Sequence, residues 1–95
     1  MILNCRKETE KEKNIEVGIS TRVVFCNNTV FNYDRSFHNV AVVGVNEYKS
    51  CTSSPSSKTY SSGRDRIKLS KGKNYFICSV PTHCNSGLNI AVDAS

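Results

Sequence analysis

One stretch of this 95-residue chain concentrates side chains that can do chemistry: Cys78-Ser79-Val80-Pro81-Thr82-His83-Cys84-Asn85-Ser86-Gly87-Leu88. It sets a thiol and an imidazole five positions apart, between two runs of apolar and β-branched residues. A loop joining two strands can turn both side chains to a common point. The other imidazole, His38, heads the apolar run His38-Asn39-Val40-Ala41-Val42-Val43, so both histidines of the chain are candidates for one site. Two imidazole nitrogens and one thiolate in a trigonal plane, with a weak or absent axial donor, are the ligand set of a blue copper centre. Zinc accepts the same three ligands when a fourth completes a tetrahedron. A buried, inert thiol beside ordinary histidines needs no metal. Spacing alone leaves all three readings open.

The elements that must position these residues read as strands. Short β-branched and aromatic runs, punctuated by Asn, Ser, Gly and Pro, predict strands over 29–33, 38–43, 66–69, 74–78 and 88–92. Residues 50–63, rich in Ser and Thr with Pro55 and Gly63, predict a loop or irregular turns, and Lys71-Gly72-Lys73 a tight turn between strands. This part of the chain shows no helical periodicity and no internal repeat. A β-sandwich or open barrel is the expected architecture. Upstream, residues 8–16 alternate in charge with no apolar stripe, so residues 1–14 are expected to form a charged arm, disordered or helical, ahead of a domain over 15–95. Ile15, Val17 and Ile19 alternate with Glu16, Gly18 and Ser20, and Val23, Val24 and Phe25 follow, which suits one or two further strands.

Length allows one domain whose core leaves little stability to spare, and five cysteines offer staples. The net charge of +5 is scattered rather than clustered, with Glu8, Glu10, Glu12 and Glu16 set among Arg6, Lys7, Lys11 and Lys13. That pattern argues against nucleic acid and towards acidic partners, such as anionic cell-wall polymers or an acidic redox protein. No run approaches the length of a membrane span, and the start turns charged too early for a secretory signal. Asp34, Glu47, Asp65 and Asp93 are dispersed without a paired motif, so no enzyme is expected.

The runs Phe31-Asn32-Tyr33-Asp34 and Phe37-His38-Asn39-Val40, then Tyr48 and Cys51, then Ser62-Gly63-Arg64-Asp65-Arg66-Ile67-Lys68-Leu69, Lys71-Gly72-Lys73-Asn74-Tyr75-Phe76-Ile77-Cys78, Pro81 and His83-Cys84 resemble the phytocyanins, the plant blue copper proteins, in order and over residues 29–94. Among these the sequence is most like the basic plantacyanins, or basic blue proteins. The resemblance implies a cupredoxin-like Greek-key β-sandwich or barrel holding one type 1 copper ion for electron transfer. It implies His38, Cys78 and His83 as equatorial copper ligands and a Cys51–Cys84 disulfide, closing a loop worth roughly 3.5–4 kcal/mol. Asn39, beside a ligand, is the expected second-sphere residue, able to hydrogen-bond the thiolate. It also implies a monomer in the apoplast.

Two departures stand out. Plantacyanins carry Met at the axial position and stellacyanin-type members Gln, whereas this chain has Leu88, which offers no lone pair. The phytocyanin opening, a strand with a Gly-Trp element, has no counterpart: the chain contains no Trp. Either residues 15–25 supply a replacement strand or the first strand is missing. Cys5 and Cys26 match nothing in the family and are expected as free thiols, with a mutual bridge as the alternative. Asn27-Asn28-Thr29 is an N-glycosylation sequon. The rivals to an electron carrier are a redox-silent secreted cupredoxin module that binds cell-wall or cell-surface partners, and a truncated, nonfunctional product. The retained His38, Cys78 and His83 speak against the first, and the foreign N-terminus is the motive for the second.

Overall fold

Alternation of buried and exposed side chains governs the strands: in the segment Arg64–Lys68 the three basic residues are exposed while Asp65 and Ile67 are buried. The computed structural model describes residues 1–6, 12–18, 21–23, 26 and 28–94. Among these lie strands β1 (Ile2–Arg6), β2 (Lys13–Glu16), β3 (Thr21–Val23), β4 (Asn28–Asn32), β5 (Val40–Val43), β6 (Lys58–Tyr60), β7 (Arg64–Lys68), β8 (Gly72–Ile77) and β9 (Asn89–Ala94). A short helix α1 (Val45–Ser50) follows β5. One sheet has the order β2-β1-β4-β7 and the other β3-β9-β8-β5-β6. The described pairings are antiparallel except β3 with β9, which is parallel. The sheets close on Leu3, Phe31, Val40, Ile67, Phe76, Ile90 and Val92, and the rings of Phe31 and Phe76 meet across the gap at 4.9 Å. Each such buried side chain is worth roughly 1.5–3 kcal/mol of transfer free energy.

The first sheet corrects the reading of the N-terminus. Its described residues, 1–6 and 12–14, are not an arm: β1 lies between β2 and β4, with Leu3 fully buried and Cys5 6% exposed. Leu3 and Cys5 alternate with Asn4 and Arg6, a period of two that suits a strand with one face in the core. The replacement strand therefore begins at Ile2, upstream of 15–25, and β2 and β3 add two more. Residues 7–11 and Asn27, including the glycosylation acceptor, lie outside the described residues. Cys5 and Cys26 are disulfide-bonded, not free. Pairing of β1 with β4 sets Cys5 opposite Thr29, and Cys26 stands just before that strand, which brings the Cα atoms to 5.7 Å.

The loop expected over residues 50–63 contains β6, which pairs with β5 at Val40↔Tyr60. The absence of helix was also an incorrect expectation. Six residues are too few to show a 3.6 period, but α1 carries a start signal in Glu47, whose carboxylate accepts the Gly44 N–H at 3.1 Å. Helix α1 explains why β5 is apolar without a break. Val40 faces the main core, whereas Ala41 and Val43 form a second cluster with Ile77 and Cys84, against which Tyr48, Cys51 and Tyr75 pack. Both faces of β5 are covered, so both must be apolar.

Candidate metal centre

The turn after β4 delivers the first imidazole. Asp34 accepts the Ser36 N–H on its carboxylate at 2.9 Å and the N–H groups of Phe37 and His38 on its carbonyl, both at 3.0 Å. This Asx-type turn ends at His38, two residues before β5. The thiol and the second imidazole come from the connection between β8 and β9. Cys78 N–H donates to the Leu88 carbonyl at 2.9 Å, continuing the ladder past Ile77↔Asn89 and closing the base of the loop. Inside it, His83 N–H donates to Val80 O at 3.1 Å, Leu88 N–H to His83 O at 3.0 Å and Asn89 Nδ2 to Cys84 O at 2.9 Å. Thr82, next to His83, has φ 72°, a left-handed conformation that is strained for a β-branched residue.

These elements bring His38, Cys78 and His83 together. The His38 and His83 Nδ1 atoms are 3.1 Å apart, and Cys78 Sγ lies 4.0 Å from the first and 3.5 Å from the second. A point equidistant from the three corners of such a triangle lies ~2.1 Å from each, within the range of metal–imidazole and metal–thiolate bonds. The donor set therefore fits a transition-metal ion as it stands. Among the described residues no fourth His, Cys, Asp or Glu joins the group. Cys78 is 1% exposed and is the one free cysteine, while both imidazoles are half-buried. Burial, and then the neighbouring His83, hold the His38 pKa below the ordinary imidazole value. That favours the neutral ring, the form that ligates.

Asn39 acts differently from the expected bond to sulfur. Its Oδ1 accepts the Ser79 N–H at 2.8 Å and its Nδ2 donates to Ser79 Oγ at 2.9 Å, so it fixes the residue after Cys78 and joins the two ligand-bearing segments. Ser79 is a partner that the sequence did not single out. Cys51 and Cys84 are disulfide-bonded with Cα atoms 5.6 Å apart, tying the end of α1 to the residue beside His83. Cys51 itself ends the helix at φ 55°. Leu88 and Cys78 line a small cavity of about 10 Å³ with Met1, Val17, Phe31 and Phe76 among its other walls. Away from the donors, Tyr33 donates to the buried Asp65 carboxylate, which also accepts from Ser62 Oγ at 2.6 Å. Burial first, then this bond to Asp65, push the Tyr33 pKa up to about 12.

A two-sheet β-sandwich with His, Cys and His gathered at one end defines the cupredoxin-like class. The comparisons agree. A family model described as plastocyanin-like domain matches residues 5–88. Lily (Lilium longiflorum) chemocyanin is 59% identical over 66 residues, 70% of this chain and 52% of that protein. The basic blue protein of Cucumis sativus is 51% identical over 65 residues, 68% of each chain. Among solved structures, cucumber basic protein, a blue copper protein, superposes with a TM-score of 0.71 at 46% identity, covering 80% of this chain and 79% of that one. Spinach plantacyanin gives 0.72 at 44%, covering 82% and 87%. The chain belongs to the phytocyanin family of plastocyanin-like blue copper proteins. It spans about half the length of lily chemocyanin. No helix among the described residues is long and apolar enough to cross a membrane.

Proposed function

We propose that the chain holds one type 1 copper ion between His38, Cys78 and His83 and works as a one-electron carrier without substrate chemistry. Convergence of the three donors on a single point carries this reading. Copper, when bound, supplies a one-electron couple at a trigonal thiolate site. The chain's residues hold that geometry: the Cys78–Leu88 backbone bond, the Asn39–Ser79 pair and the Cys51–Cys84 bridge limit how far any donor can move. Donors locked by such supports keep their positions through a change of oxidation state. Structural zinc is almost always four-coordinate, and no fourth His, Cys, Asp or Glu joins the three among the described residues, which favours copper. Leu88, at the position the family assigns to the axial ligand, offers no lone pair, so a copper ion would be held by His38, Cys78 and His83 alone.

The half-buried imidazoles provide the route for the electron, and Phe37, 64% exposed beside His38, marks the face a redox partner would approach. The wider setting follows the family: a monomer in the apoplast, with an unidentified redox protein as partner and no nucleic acid. The redox-silent module is disfavoured because the three donors are both present and convergent. The nonfunctional-product reading is disfavoured because β1, β2 and β3 join the two sheets and the three donors converge. Voltammetry of the copper-loaded protein tests the proposal. A reversible one-electron wave that disappears in Cys78→Ser supports it; copper binding without a reversible wave removes the carrier reading.

A further inference from the structure

The outer face of the first sheet carries cations and side-chain amides in register. Register sets its outward residues in three rows: Arg6, Asn28 and Lys68; Asn14, Asn4, Val30 and Arg66; and Glu16, Ile2, Asn32 and Arg64. Arg64, Arg66 and Lys68 thus form a line of exposed cations along the edge strand β7, at intervals of roughly 6.8 Å. Arg6 adds a fourth charge from β1. None of these four makes an ion pair among the described residues. Side-chain amides link the second and third rows, where Asn32 donates to Asn4, and continue along the second, where Asn4 donates to Asn14.

Within this face lies a cleft of about 360 Å³ lined by Asn4, Arg6, Glu12, Asn28, Val30 and Arg66. That is the size of a small-ligand site. It lies towards the end of the sheet remote from the donor triangle. Met1 and Phe31 share the cavity beside Cys78, whereas Arg6, Asn28 and Lys68 close the opposite end of the same strands.

We propose that this face binds a linear acidic polysaccharide, with one uronate unit seated in the cleft. Arg6 and Arg66 supply charge-assisted hydrogen bonds to the sugar carboxylate. The amides of Asn4 and Asn28 and the carboxylate of Glu12 are acceptors and donors suited to ring hydroxyls. Carboxylates of the neighbouring units run along Arg64 and Lys68, because the β7 edge is open and a polymer can continue past the cleft. The same groups disfavour a polynucleotide. Single-stranded nucleic acid binds by stacking its bases on aromatic rings, and Ile2 and Val30 are the only apolar side chains in the three rows. Occupation of this face leaves the His38 and His83 end free, so the protein can be held on a polyanion without covering its metal centre.

The inference goes beyond the electron-carrier reading and is independent of it, and its test uses the full metal-free chain. Calorimetric titration with polygalacturonate at low salt is predicted to show binding that weakens as salt rises. Arg6→Gln with Arg66→Gln is predicted to weaken binding by roughly tenfold to a hundredfold. Lys49→Gln with Lys58→Gln, which removes the same charge from α1 and β6, is predicted to change it little. Fully methyl-esterified polymer is predicted not to bind. Equal losses in the two double variants would reduce the effect to net charge and overturn the site. Absence of binding to polygalacturonate, or tighter binding to single-stranded polynucleotide with no effect of Asn28→Ala, would overturn the ligand class. Unfolding midpoints of the variants separate lost binding from lost folding.

Discussion

The Cys51–Cys84 bridge offers a stringent test of how the metal end is held. It spans a sequence separation of 33 and joins the left-handed end of α1 to the residue after His83. The chain-entropy model assigns such a closure ~3.7 kcal/mol. The replacement matters, because position 51 has φ 55° and glycine adopts that conformation freely. Cys51→Gly with Cys84→Ala therefore adds no backbone strain. It forfeits the sulfur packing in the cluster of Ala41, Val43 and Ile77 and loosens the unfolded chain at position 51. The expected loss is about 4–5 kcal/mol in all, a fall in Tm of roughly 20–35 °C for a domain of this size. Thermal and denaturant unfolding of the metal-free protein provide the assay. A loss under ~1 kcal/mol would refute the idea that the bridge adds materially to the hydrogen bonds that hold this end together.

The axial and strained positions, and the titration of Tyr33, give three further expectations. Leu88→Met adds a thioether donor beside the Cys78 cavity and should lower the copper reduction potential, with under ~1.5 kcal/mol change in stability; voltammetry showing an equal or higher potential would contradict a non-coordinating Leu88. Thr82→Gly should stabilise the protein by up to ~1 kcal/mol, because release of a β-branched residue from φ 72° outweighs the freedom glycine adds to the unfolded chain; a lowered unfolding midpoint would count against strain at that residue. Tyr33, with its pKa raised to about 12, contributes stability that is complete below the ordinary phenol pKa near 10 and is lost as pH rises through 12. Ultraviolet titration should show one late phenolate step that Tyr33→Phe abolishes.

How much was legible in the sequence differs by region, and the reasons are physical. His38, Cys78 and His83 stood in an ordered set of motifs, and each strand near them carries its own alternation or apolar run. Their convergence follows from local devices the sequence also displays: Asp34 for the turn before His38, and the β8–β9 ladder that closes the loop. Helix α1 escaped because none of its six residues is fully buried and Tyr48, which packs on the second cluster and on the Tyr75 ring at 5.0 Å, is a single anchor that makes no stripe. Strand β1 escaped because the charges of residues 8–16 mask a short two-residue alternation, Leu3 and Cys5, just upstream, whereas strand character within residues 15–25 was legible. The Cys5–Cys26 bridge depended on the pairing of β1 with β4, a long-range register that spacing does not encode. The cationic face was hidden for the same reason. Arg6 and Arg66 are far apart in sequence and become neighbours only across β4.

The central claim is that the three donors form a copper–thiolate centre, and visible absorption after Cu(II) addition to the purified protein tests it most directly. An intense blue charge-transfer band is expected at one equivalent of copper, present in the parent and absent in a folded Cys78→Ser variant. A well-folded parent that stays colourless, or a band that survives the loss of Cys78, would contradict it.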